Sequence, residues 1–181
     1  MKISLKQYDT SELVIPGDRT TVCYGQRTLN FFGKVKYAQI VAKAYFSISS
    51  FHRRALKEKV CYYGPFKGEF GHFLLHNLPY LTFLHKRGVR IHYCGMQLHE
   101  AFLRDENGKS MIAEWFPLRD FFSEVRPMAN LVVPPADVEE KILAFKKDAL
   151  HSGKPFLDLT DHDRYWFVFR NWQLNGRQAA F

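Results

Sequence analysis

Cysteine is scarce: only Cys23, Cys61 and Cys94 occur in 181 residues, and no two of them form a CxxC pair. That spacing argues against a zinc knuckle, and an odd count fits no closed disulfide framework. Buried free thiols in a reducing compartment are the simpler reading. The amino terminus has no apolar h-region, so it is not a secretory signal. No run approaches the roughly 18 apolar residues of a membrane span. The chain therefore reads as cytoplasmic, at most peripheral to a membrane. Internal repeats and low-complexity tracts are also missing. Acid is in deficit, with 18 Asp+Glu against 26 Lys+Arg, for a net charge of +8. A basic surface favours nucleic acid, acidic lipid headgroups or phosphorylated substrates. No nucleic-acid motif is visible, so nucleic acid ranks below acidic lipid.

What is present is enough apolar material for a core, at 46% hydrophobic and 16% aromatic residues. The length is that of one domain. Short strands are expected at 3–5, 13–15 and 21–24, separated by turn residues. Residues 35–57 carry a helical rhythm through Tyr37, Ile40, Val41, Ala44, Tyr45, Ile48, Phe51 and Ala55. Lysines and arginines surround that stripe. They form either the solvated face of a core-packed helix or the charged flank of a helix lying on acidic lipid. Residues 1–59 read as one part of the domain and 60–181 as its β-α-β core.

The densest signal is 64–84, GPFKGEFGHFLLHNLPYLTFL. An apolar strand at 60–63 precedes it, and Lys86, Arg87 and Gly88 close the helix that follows. Gly64, Gly68 and Gly71 bracket the turn, where backbone can approach a ligand closely. The spacing is neither that of a P-loop nor GxGxxG, and no Lys-Ser/Thr pair follows. Free N–H groups at the helix start still suit a phosphate or a sugar hydroxyl. Glu69 and His72 share a helix face, and a carboxylate beside an imidazole is acid–base machinery; Glu69 is equally what a first helical turn wants electrostatically. His72 and His76 have the HxxxH spacing of a zinc-peptidase helix. The glutamate such a helix needs is Phe73 here, and no third ligand stands out, which argues against a metal. Pro79 is expected to kink the helix unless its first turn starts late.

A second strand is expected at 89–94, a short helix at 97–103, and a turn at 105–109. The cleanest helix is 137–150, with Val138, Ile142, Phe145 and Leu150 as its apolar face. A last strand at 165–169 runs into Arg170 and Asn171, a pair suited to a phosphate beside Trp172. Asp158, Asp161 and Asp163 read as turn residues. Alternating strands and helices imply an α/β, Rossmann-like layered domain with a mainly parallel sheet. Ligands in such sheets bind past the carboxyl ends of the strands.

The residues Gly71, His72, Phe73, Leu74, Leu75, Leu78, Pro79 and Leu81 carry a resemblance. The stretch 68–84 resembles the GHFLLE-x-LPRL helix of capsular-polysaccharide and plant xylan-decorating glycosyltransferases. It departs at His76, where that family has an acid, and at Tyr80, where it has arginine. Arg170 and Arg177 echo the family's R-x5-R, one residue longer. The resemblance implies the amino-terminal, acceptor-side half of a twin-Rossmann enzyme, with a further domain after residue 181 or on a second chain. That partner would hold the nucleotide-sugar, a substrate rather than a cofactor. A carbohydrate is the implied acceptor. It also implies His72 or Glu69 as base, with Gly64, Lys67, Gly68, Gly71, His76, Arg170 and Asn171 as substrate contacts. The alternative from the residues alone is a non-catalytic module whose basic surface binds acidic lipid or another anionic partner.

Overall fold

A computed structural model describes residues 12–14, 21–23, 31–67, 70–120 and 135–160. Strands β1 (Glu12–Val14) and β2 (Thr21–Cys23) pair antiparallel. They match two of the three expected short strands; the third, at 3–5, lies outside the described residues.

Helix α1 (Phe31–Glu58) is the longest element, and it buries Ala44, Ile48, Phe51 and Ala55 as the rhythm predicts. Tyr45 is an exception to that stripe, being 50% exposed. Ala44 already occupies the core line, and the next residue turns about 100° away from it. Lys59, with φ of 55°, turns the chain out of α1 and straight into strand β3 (Val60–Phe66).

Every residue of β3 is buried. A strand covered on both faces must be a near-continuous apolar run, and VCYYGPF is one. The strand extends past the expected 60–63 and takes in Gly64, which therefore lies in the sheet and not in the turn. Helices α2 (Phe70–His72) and α3 (Leu78–Lys86) follow, joined by a π turn at Phe73–Asn77. Strand β4 (Arg90–Met96), a 3-10 turn (Gln97–Phe102) and strand β5 (Glu114–Leu118) come next. Helix α4 (Ala136–Ser152) and the two-residue strand β6 (Phe156–Leu157) complete the described chain.

The main sheet is parallel throughout, in the order β5-β4-β3-β6. The fold is thus an α/β, Rossmann-like layered domain. One face of the sheet, through Cys61, Tyr63, Ile91, Tyr93 and Leu157, packs against α1 and the 70–86 helix. The other, through Tyr62, Cys94 and Met96, packs against Val138, Ile142, Phe145 and Ala149 of α4. Leu150, expected on that helix's apolar face, is instead 70% exposed, and Ala149 takes the core position. Ala149 lies four residues beyond Phe145, in line with Ile142 and Val138. Asp137 and Glu139 favour the positive amino end of α4, and Gly153, with φ of 64°, closes its carboxyl end. Arg119 clamps Asp137 through two contacts of 2.7 and 3.1 Å, tying the exit of β5 to the start of α4.

Candidate functional site

Strand order reverses at β3. From β3 the chain adds β4 and then β5 outward on one side, and it returns through α4 to place β6 on the other. At such a reversal the segments leaving neighbouring strands part, and a crevice opens at the carboxyl edge. Two segments meet there: 64–67, the last part of β3 and its exit, and 158–160 leaving β6. The Leu159 N–H donates to the Gly64 carbonyl oxygen across 3.4 Å.

Gly64 is built into this edge. Its φ is 122°, and a Cβ on it would collide with the Cys94 carbonyl oxygen of β4. Register between β3 and β4 shifts between Tyr63 and Phe66, and the Gly64–Pro65 peptide is cis. Gly95 plays a related part on β4, since a Cβ there would meet the Tyr93 ring at 2.6 Å from Cζ. Without it the ring lies along the strand towards the carboxyl edge. Gly71 differs from both, having nothing within 4 Å of an added Cβ. Packing does not require its missing side chain.

The 70–86 helix starts beyond this edge. Pro79 supplies no N–H, and the π turn lets the helix run on through it, with the Leu78 N–H reaching the Phe73 carbonyl. Pro79 thus stands in the first turn of α3, where no N–H is required of it. Widening carries both His76 and Asn77 into the interior, at 8% and 0% exposure. Asn77 is bonded through both its amide atoms there: its Oδ1 accepts from the Tyr63 hydroxyl at 2.6 Å, and its Nδ2 donates to the His72 carbonyl at 3.2 Å. His72 is half-buried in the first turn, with its ring 5.7 Å from that of His76. Lys67, half-buried, ends the strand exit.

Thus Gly64 and Lys67 lie in the last part of β3 and its exit, and Gly71, His72 and His76 lie in the helical segment that follows. Gly68, Glu69, Arg170 and Asn171 lie outside the described residues, as does the expected strand at 165–169. Among the described residues no three His, Cys, Asp or Glu side chains are placed to hold a metal ion. Asp158 behaves as a turn residue, its Oδ1 accepting from the Thr160 N–H at 2.9 Å, and it also pairs with Lys146 at 2.8 Å.

One residue near this edge was not singled out by sequence reasoning. His99, in the 3-10 turn that leaves β4, is fully buried and stacked on Phe73 with ring centroids 3.9 Å apart. Its Nδ1 is bonded to the Tyr93 hydroxyl at 2.9 Å, and its Nε2 has no partner among the described residues. Burial pushes its pKa down to about 3, so it is neutral. The signal available in advance was a histidine directly after a strand that ends in glycine, which is weak. Tyr63, Tyr80 and Tyr93 are likewise pushed well above the usual phenol range by burial. Each hydroxyl has a side-chain partner: Asn77, His52 and His99 respectively. Cys61 and Cys94 are buried free thiols, pushed up to about 12, and are unreactive there.

A cleft of about 80 Å³ lies elsewhere, lined by Glu100, Leu103, Arg104, Ser110, Ile112 and Trp115. It is well below the roughly 300 Å³ of a small-molecule site. Compared with protein-family models, curated proteins and solved structures, the chain matches none. Among the described residues no helix is long and apolar enough to cross a membrane.

Proposed function

We propose that the chain is the acceptor-side part of a glycosyltransferase. It transfers, or helps transfer, a sugar from a nucleotide-sugar to a carbohydrate acceptor in polysaccharide or glycoconjugate synthesis. The observation that carries the reading is that the end of β3, with Gly64 and Lys67, lies beside the reversal of strand order and leads into the segment bearing Gly71, His72 and His76. The resemblance of 68–84 to the transferase helix supplies the reaction class.

In this reading the acceptor hydroxyl oxygen attacks the anomeric carbon of the donor sugar, and His72 takes the hydroxyl proton. The bond from that carbon to the nucleoside diphosphate breaks, and the diphosphate leaves with the electron pair. Glu69 is the alternative base, or the carboxylate that fixes the His72 tautomer. Gly64, Lys67, Gly68, Gly71 and His76 border the acceptor, while Arg170 and Asn171 meet phosphate. A second domain or chain holds the nucleotide-sugar, which is a substrate, and no cofactor is called for. The proposal places the chain in the cytoplasm, peripheral to a membrane.

The test is nucleoside diphosphate release with panels of nucleotide-sugars and oligosaccharide acceptors. His72→Ala is expected to lower turnover by about 100-fold or more, the usual worth of a general base. The melting temperature should stay unchanged. Undiminished turnover in both His72→Ala and Glu69→Gln would remove the proposed base.

A further inference from the structure

Helix α1 carries a second apolar surface that no described element covers. The core line is Ala44, Ile48, Phe51 and Ala55. At about 100° per residue, Val35, Ala42 and Phe46 fall within roughly 40° of one another on the opposite side of the helix. On that line Phe46 is 71% exposed and Val35 41%, while Tyr45, about 100° round from Phe46, flanks it at 50% exposure. Exposed large apolar residues in line are informative where scattered single ones are not.

Charge on the same helix is one-sided. Its sequence holds the cations Lys34, Lys36, Lys43, Arg53, Arg54 and Lys57, and the single acid Glu58 at the last position. Glu58 is already paired with Arg54 at 3.1 Å, and Arg54 also donates to the Gly153 carbonyl. Lys43, Arg53 and Lys57 are exposed and have no carboxylate partner among the described residues. Lys43 flanks the apolar line at about 80°, while Arg53 and Lys57 continue it towards the carboxyl end. At 28 residues α1 is long enough to span a bilayer. Its cations bar it from doing so, and it is not apolar enough to cross.

From these observations we infer that the outward face of α1 docks on an anionic membrane surface. The helix lies in the interface plane, with Val35, Tyr45 and Phe46 entering the acyl boundary and Lys43, Arg53 and Lys57 meeting lipid phosphates. Nucleic acid would use the cations and leave the Val35–Phe46 line exposed. A lipid interface uses both. The inference names the face that would make the peripheral membrane contact, and it does not rest on the sugar-transfer step or on the carboxyl-edge site.

Sedimentation of the protein with vesicles tests it, comparing pure phosphatidylcholine with mixtures containing phosphatidylglycerol. Binding is expected only to the anionic vesicles and is expected to weaken with salt. Lys43→Glu/Arg53→Glu is expected to weaken partitioning by about 25-fold or more, at about 1 kcal/mol per cation. Phe46→Ser is expected to weaken it while leaving the melting temperature unchanged, since that side chain is exposed. Three outcomes would overturn the inference: no partitioning onto anionic vesicles, partitioning that ignores both variants, or tighter binding to single-stranded RNA lost in the same variants. A dimer in ultracentrifugation that Phe46→Ser dissociates, without vesicle binding, would assign the face to a second copy instead.

Discussion

Alanine at Gly64 and alanine at Gly71 are expected to move stability in opposite directions. At Gly64 a side chain must adopt φ near 122°, and its Cβ would also lie 3.2 Å from the carbonyl carbon and the nitrogen of Cys94, in collision with the oxygen. A strained backbone of this kind costs on the order of 1–3 kcal/mol, and overpacking adds about as much. The obstructing atoms are backbone of a paired central strand, so they cannot recede without breaking β3–β4 pairing. The expected loss is about 3–5 kcal/mol. Gly71 sits in a helix with open space around it, where alanine gains about 0.5 kcal/mol. For a domain of this size these values correspond to a fall of about 10 °C and a rise of about 1–2 °C in melting temperature. Scanning calorimetry at neutral pH reads both. The same pair separates stability from recognition. If a ligand approaches the backbone at Gly71, the more stable variant binds acceptor more weakly. A Gly64→Ala protein within about 0.5 kcal/mol of the parent would refute the reasoning about that edge.

Three other outcomes are expected. His99 is held neutral with its pKa lowered to about 3 against 6.5 when unfolded, so its contribution is complete above pH 6.5 and is lost as pH falls towards 3. Urea unfolding should therefore show on the order of 2–3 kcal/mol less stability at pH 4.5 than at pH 7 from this group, and His99→Phe should flatten that limb. Tyr63→Phe strands the buried Asn77 Oδ1 and should cost about 1–3 kcal/mol in urea unfolding, much of it recovered when Asn77 is also made apolar. On α4, Phe145→Ala should cost about 3–5 kcal/mol, whereas Leu150→Ala should be near neutral by thermal melting.

The parts of the fold legible in sequence were those where a single local pattern decides. The core stripe of α1 repeats at helical spacing, and 136–152 has acids at its start and glycine at its end. Strand β5 was harder to read because Pro117 and mixed aromatics break any alternation. An edge strand tolerates a proline that a central one would not. Strand β6 is two residues long and draws its identity from pairing with Tyr62 and Tyr63, which no local pattern reveals. Pro79 marks the start of α3, but the burial of His76 and Asn77 in the π turn before it depends on partners elsewhere such as Tyr63. The glycines of 64–84 looked alike in sequence. Only the neighbouring strand distinguishes Gly64, which packing requires, from Gly71, which it does not. His99 escaped notice because its meaning comes from the aromatic residues stacked around it.

The central claim is that ligand binds at the carboxyl edge beside the β3–β6 reversal. Amide-resolved NMR titration with acceptor oligosaccharides tests it most directly. The account predicts shifts confined to residues 64–67, 71–77 and 158–160, with the His72 ring among them. Shifts centred on the cleft by Trp115, or none with any carbohydrate, would contradict it.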